Sequence, residues 1–182
     1  MSVYTLIFVT VLACAANQAT AQTIGMYDAP PRSIAEQLRS ADYWAVGAQY
    51  GLVGGTGLSI HYAMANRFSF ELTGGYVTLA DGMWSVGVEF QYLLDNTSDS
   101  RFYALLGAGV YHLGNRDSND VVTNQLSHPF RVGLGIGYEY FVSTKAALSL
   151  ELPMVVFIPS GDSRAEVYPF PQLQFLYYFS LD

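Results

Sequence analysis

The sequence predicts an all-β fold, a closed antiparallel up-and-down transmembrane β-barrel of about eight strands preceded by a short N-terminal amphipathic helix. Three observations predict it. From Tyr43 onward every segment prefers period two, which sends successive side chains to opposite faces of a strand. Aromatic residues gather at the strand ends while aliphatic residues fill the middles. The connections alternate between short turns and longer loops, as expected where the two rims of a barrel differ.

Composition agrees. The 182 residues suit one domain with no linker near the middle. Charged residues are scarce at 13%, while 14 Tyr and 11 Phe suit a surface that partly faces lipid. The net charge of −7, with 8 Lys and Arg and no basic cluster, argues against a nucleic-acid partner.

Residues 1–21 read as an export signal, with an apolar core from Val3 to about Ala16 and Ala19-Thr20-Ala21 as a small-residue cleavage site before Gln22. Its first residues carry no Lys or Arg. The single cysteine lies in Val11-Leu12-Ala13-Cys14, which also resembles a lipoprotein box, where cleavage leaves a lipidated Cys14. Cleavage after Ala21 instead leaves a mature chain without cysteine and excludes thiol chemistry. Residues 22–42 read as a periplasmic N-terminal segment. It is polar, carries Pro30-Pro31, and sets Ser33 and Glu36 at capping-box spacing with Ile34, Leu38 and Ala41 along one helical face.

The barrel is expected over residues 43–182. Its first run sets Trp44, Val46, Ala48, Tyr50 and Leu52 outward against Ala45, Gly47, Gln49 and Gly51, and Gly54-Gly55 turns the chain. Leu58, Ile60, Tyr62 and Met64 then alternate with Ser59, His61 and Ala63. A tight turn at Ala65-Asn66 leads to Phe68, Phe70 and Leu72, alternating with Ser69, Glu71 and Thr73. Trp84, Val86, Val88, Phe90 and Tyr92 oppose Ser85, Gly87, Glu89 and Gln91. The fifth run, Arg101 to His112, carries apolar residues on both faces, so its faces are not assigned. A polar loop spans about Gly114 to Ser127. Phe130, Val132, Leu134, Ile136, Tyr138 and Tyr140 then alternate with Arg131, Gly133, Gly135, Gly137 and Glu139. Past the turn at Ser143 to Lys145, Leu148, Leu150 and Leu152 oppose Ala147, Ser149 and Glu151, and the last run places Leu173, Phe175, Tyr177 and Phe179 on one face.

Alternation alone also fits a soluble β-sandwich, and the aromatic positions decide between the two. One rim collects Trp44, Tyr62, Phe68, Tyr92, Phe102, Tyr140, Tyr177 and Phe179. The other collects Tyr50, Tyr76, Trp84, Tyr111, Phe130, Phe157 and Phe170. Two such girdles around an aliphatic band are the pattern of a lipid-facing barrel wall, and closure is required because an open edge in hydrocarbon leaves backbone groups unpaired.

The Gly-alternating run Val132 to Phe141 and the aromatic final strand Phe175-Leu176-Tyr177-Tyr178-Phe179 resemble small outer-membrane barrels of the OmpA, OmpX and OmpW type, over about Tyr43 to Phe179. The resemblance implies residence in a bacterial outer membrane, contact with its lipid and lipopolysaccharide, and a final strand read by the barrel-assembly machinery. Ser180-Leu181-Asp182 follow Phe179 and depart from that terminal signal.

Candidate chemistry centres on the residues expected to face the lumen: His61, Glu71, Glu89, Arg131, Glu139 and Glu151, with Gln49 and Gln91. An eight-stranded barrel is about wide enough for side chains to fill, so a packed polar plug is expected. Four inward carboxylates then face one assigned arginine. Either burial and like charge keep a carboxyl protonated, or Arg32 or Arg39 docks at the near mouth. An ester hydrolase needs a nucleophile held by a base, and no Ser near His61, His112 or His128 has triad spacing; adjacent Ser127 and His128 point to opposite faces of a strand. Asp117, Asn119 and Asp120 lack the Gly and terminal Glu of a calcium loop. Gly133, Gly135 and Gly137 lie inside a strand and so make no phosphate loop; they give inward room or relieve strain. No cofactor and no metal site is expected. The sequence therefore points to a non-enzymatic barrel with a structural or surface-interaction role in the envelope. The alternatives are a narrow channel for small or hydrophobic solutes and an enzyme that acylates or deacylates lipid A.

Overall fold

The computed structural model describes residues 42–77, 82–116, 122–124, 126, 128–159 and 164–179. The expected export signal, Cys14, the expected N-terminal helix, Arg32, Arg39 and the acidic triplet Asp117, Asn119 and Asp120 lie outside the described residues.

Ten strands make one antiparallel system: β1 (Tyr43–Tyr50), β2 (Thr56–Ala63), β3 (Phe68–Val77), β4 (Met83–Asn96), β5 (Ser100–Arg116), β6 (Val122–Asn124), β7 (Phe130–Phe141), β8 (Ala146–Ile158), β9 (Glu166–Pro169) and β10 (Gln172–Phe179). Each barrel strand pairs with its sequence neighbour, and β10 pairs with both β8 and β1. That last pairing, from Trp44↔Phe179 to Tyr50↔Leu173, shuts the sheet into an up-and-down barrel of 8 strands. The short β6 extends the top of β5, and β9 continues the line of β10 in unbroken register on β8.

The rim that carries both ends of the described barrel, here the lower rim, is built from tight polar turns. Asn66 Oδ1 accepts from Phe68 N–H at 2.9 Å, Thr97 N–H donates to the Ser100 carbonyl at 2.9 Å, and Ser143 Oγ accepts from Ala146 N–H at 3.0 Å. Side-chain oxygens of Asn, Ser and Thr satisfy backbone groups at these reversals, which is what selects them there. A bulge at Leu94 shifts the β4–β5 register just before one of these turns.

Proline interrupts the wall at one height. Pro153 in β8 lies opposite Gly135, where a Cβ would collide with the Pro153 backbone, and the β9–β10 line breaks at Phe170-Pro171 beside it. Neither proline can donate to a ladder, and Phe170 N–H closes the gap by donating to the Pro153 carbonyl at 3.0 Å.

Three expectations are corrected. The first run does not reach Leu52: β1 ends at Tyr50, and Gly51 to Gly55 fold inward to fill the top of the lumen. The fifth strand does not end at His112 but runs on to Arg116, because Gly114 to Arg116 pair with β6 and so satisfy their backbone. Tyr111 and Phe157 are not girdle residues. They share the inward parity of Gly109 and Val155, and Tyr111 is buried with its hydroxyl donating to the Gly51 carbonyl at 2.6 Å.

Candidate functional site

Burial in this molecule is inverted. Its buried side chains are mainly polar or charged, whereas large aliphatic residues are open on the outer wall, Leu58 at 77% and Leu134 at 63% exposed. In a water-soluble fold the polar residues would be outside. Strand alternation produces this directly: each inward Glu, Gln, His or Ser is flanked by outward Leu, Ile, Val or aromatic neighbours.

Among the expected girdle residues, Phe68, Trp84, Tyr92, Phe130 and Tyr140 are exposed on the outer face, and Trp44, Tyr62, Tyr177 and Phe179 are half-buried there. Trp44 packs on Tyr62 at 4.7 Å between ring centres and Phe68 on Tyr92 at 5.2 Å, each a cross-strand neighbour in the ladder.

All the expected lumen residues lie inside the wall. His61, Glu71, Glu89, Gln91, Glu139 and Glu151 are each at most 2% exposed, and Gln49 and Arg131 are buried as well. They are joined by groups that alternation alone did not single out: Gln172 and Gln174 of β10, Tyr178 beside them, and Arg101, Tyr103 and Tyr111 of β5. The inward face of β10 was readable, since outward Leu173, Phe175 and Tyr177 leave Gln172, Gln174 and Tyr178 inside. For β5 the signal was weaker, and it lay in the parity of Gly107 and Gly109, which match the inward glycines of β7.

The lumen has three levels. At the lower end Ala45, Ala63, Ala147, Leu176 and Tyr178 make an apolar cluster flanked by Tyr43 and Phe141. Just above it Tyr178 links two ions. Its hydroxyl donates to Glu139 Oε1 at 3.0 Å and accepts from Arg101 Nη1 at 3.2 Å, while that same nitrogen stands 3.7 Å from Glu139 Oε2. Arg101 therefore supplies Glu139 with a counter-ion, a part expected of Arg32 or Arg39.

The middle level is a lattice in which four glutamines tie glutamates across the barrel. Gln174 Nε2 donates to Glu71, whose other oxygen lies 3.3 Å from His61 Nδ1. Thr73 Oγ1 sits 3.1 Å from Glu71 and 2.7 Å from Gln49 Oε1, and Gln49 Nε2 donates to Glu89 at 3.1 Å. Gln172 Nε2 bridges Glu89 and Glu151 at 3.0 and 2.9 Å, and Glu151 also accepts from Tyr103 Oη at 2.7 Å and Gln91 Nε2 at 3.5 Å. Amides suit this task because each donates to a carboxylate while its carbonyl accepts from another donor. Glu89 Oε2, His61 Nε2 and Gln174 Oε1 are buried without a hydrogen-bond partner, so the lattice is dense but not saturated.

The upper level is the inward-folded connection between β1 and β2. Val53 is fully buried, and its N–H donates to Gln172 Oε1 at 2.8 Å. A Cβ at Gly107 or Gly133 would fall on the Val53 methyls, and one at Gly87 would strike the Gly54 backbone. The glycines of β4, β5 and β7 thus open a hollow that this loop occupies. Gly55 turns it with φ +107°, a conformation that favours glycine. Gly137 gives room of another kind, to the Tyr103 ring.

Two of the histidines meet partners other than serine: His61 meets Glu71, and His112 stacks on Trp84 at 5.5 Å on the outer wall. His128 Nε2 lies 3.2 Å from the Arg164 carbonyl.

No protein-family profile matches the chain, and no curated protein matches it. Among solved structures it is similar to the N-terminal β-barrel domain of Pseudomonas aeruginosa OprF, with TM-score 0.54 and 14% identity over 77% of this chain and 98% of that one. It is also similar to the de novo designed protein TMB2.3, with TM-score 0.40 and 14% identity over 79% of this chain and 95% of that one. The OprF likeness shows the fold: a small eight-stranded barrel of the kind the sequence pattern resembles.

Proposed function

We infer that this chain is a non-enzymatic outer-membrane β-barrel with a closed lumen, whose role is structural or lies in contacts made by its outward loops. One observation carries the reading, the inversion of burial: an apolar outer belt with aromatic residues toward its rims around a packed polar interior. Such a belt is stable in hydrocarbon and unstable in water, and its partners in this reading are outer-membrane lipid and lipopolysaccharide. Passage through the barrel-assembly machinery fits the aromatic final strand ending at Phe179.

Closure is supported at each level: the apolar cluster below, Gln172 spanning Glu89 and Glu151 in the middle, and Val53 above. A conducting pore needs a continuous water-filled path, and each of these levels interrupts one. The first test is electrophoresis of outer-membrane fractions with and without boiling. A heat-modifiable band in that fraction is expected, and a soluble periplasmic band would overturn the membrane assignment. The second is conductance in planar bilayers, where folded protein is expected to be silent; steady single-channel openings would replace this reading with a narrow channel.

A further inference from the structure

We propose that the upper mouth of the barrel carries an oxyanion-binding site centred on Arg131, which takes one carboxylate or phosphate group from outside. Arg131 is only 8% exposed. Its guanidinium lies 3.8 Å over the Tyr111 ring and 5.2 Å from the Phe157 ring. Both rings come from the strands that flank β7, on the inward parity, so the cation is held between them. Aromatic faces stabilise a guanidinium through its flat surface and leave its N–H edge free to donate.

Part of that edge is unused. Nε and Nη1 are buried and have no hydrogen-bond partner. Arg101 shows what the same side chain does when supplied, since it meets both Glu139 and Tyr178. No described carboxylate pairs with Arg131. Glu139 is committed to Arg101, Glu71 to His61 and Gln174, and Glu89 and Glu151 to Gln172. A buried cation with no counter-ion among the described residues and two N–H groups unpaired is unfavourable, and a planar guanidinium matches the paired oxygens of a carboxylate or phosphate.

The Val53 loop decides the direction of entry. It fills the hollow at Gly107 and Gly133, one inward position below Arg131 on β7, and so stands between the arginine and the glutamate lattice. A ligand reaches Arg131 from the upper mouth and stops there, so the site fits a terminal anionic group and not a solute in transit. The site does not require the lumen to be closed to ions.

The test uses the full chain folded in neutral lipid vesicles, with inorganic phosphate titrated against chloride at matched ionic strength and the thermal unfolding midpoint as the readout. A saturable rise is expected for the wild type, because a ligand that binds only the folded state stabilises it by mass action. Arg131→Met is expected to abolish the rise. Arg131→Lys is expected to weaken half-saturation by roughly tenfold, since an ammonium lacks the planar fork. No saturable rise in the wild type, or an equal rise in Arg131→Met, overturns the proposal. Should Arg131→Met fail to fold, half-saturation in Arg131→Lys equal to wild type overturns it instead. Repeating the measurement without phosphate in vesicles containing phosphatidylglycerol separates the two sources. An Arg131-dependent rise there assigns a lipid headgroup, and a rise confined to free phosphate assigns a soluble anion.

Discussion

Val53 N–H and the Gln172 side-chain carbonyl meet at 2.8 Å, joining the first loop of the barrel to its last strand across the top of the lumen. The other end of the same amide donates to Glu89 and Glu151, so one side chain holds the loop and two carboxylates from opposite walls.

Gln172→Leu is therefore expected to destabilise the folded barrel by about 2–4 kcal/mol, more than a single lost hydrogen bond, because it leaves two buried carboxylates and one N–H underpaired. Urea unfolding in lipid vesicles, followed by Trp fluorescence, measures it. A change within about 0.5 kcal/mol, the usual range for an inconsequential surface substitution, would show that the lattice relaxes around the loss.

Gly133→Val places methyls where those of Val53 already lie, and overpacking of this kind costs about 1–3 kcal/mol. Val53→Gly in the same chain is expected to restore much of that loss. A double-mutant cycle with no coupling between the two positions would mean that the loop does not rest in the glycine hollow.

Arg101→Met strands Glu139, and Glu139→Gln strands Arg101; each alone is expected to cost about 3–5 kcal/mol. The double substitution leaves neither member of the pair as a stranded charge and is expected to be closer to wild type than either single one. Equal or greater loss in the double would identify the Tyr178 hydroxyl bonds, and not the ion pair, as the main contribution.

At the lower rim Asp42 accepts from Tyr62 Oη at 2.5 Å and from Ala65 N–H at 2.7 Å, and these bonds hold its carboxyl below the usual range, the Tyr62 hydroxyl having the larger effect. The folded pKa is depressed, so the contribution is fully present above the unfolded value and is lost as pH falls through the folded one. The stability difference between wild type and Tyr62→Phe is expected to be constant above about pH 5 and to shrink below about pH 4. Unfolding midpoints measured from pH 3 to 7 check it; a difference that grows on acidification would contradict the assignment.

How much of this could be read beforehand depended on what each strand packs against. β4 and β7 alternate cleanly because one face meets lipid-like surroundings and the other the lattice, and their inward Glu89, Arg131 and Glu139 followed from parity alone. β5 resisted because its inward face carries Tyr103, Leu105 and Tyr111, large rings and an aliphatic side chain buried in a narrow lumen, Tyr103 beside Gly137 and Tyr111 beneath Arg131. Tyr111 and Phe157 sit near strand ends, which suggested a girdle, yet parity turns them onto Arg131. Position along a strand gives depth and parity gives side, and only both together separate a lipid-facing ring from a cation-holding one. The turn at Gly54-Gly55 was legible, but its inward fold was not, since that depends on glycines in three distant strands opening the same hollow.

The pairing of Trp44 with Phe179 joins the two extremes of the described chain. Contacts so distant in sequence form late, because loop-closure entropy must be met before they contribute. Until β10 arrives, β1 and β8 each present a raw hydrogen-bonding edge, and a half-made chain is a sticky ribbon and not a small barrel. Closure through β10 thus gives this fold a vulnerable interval that lasts until that eight-residue strand is paired, and a chain cut short before Gln172 has no way to end it.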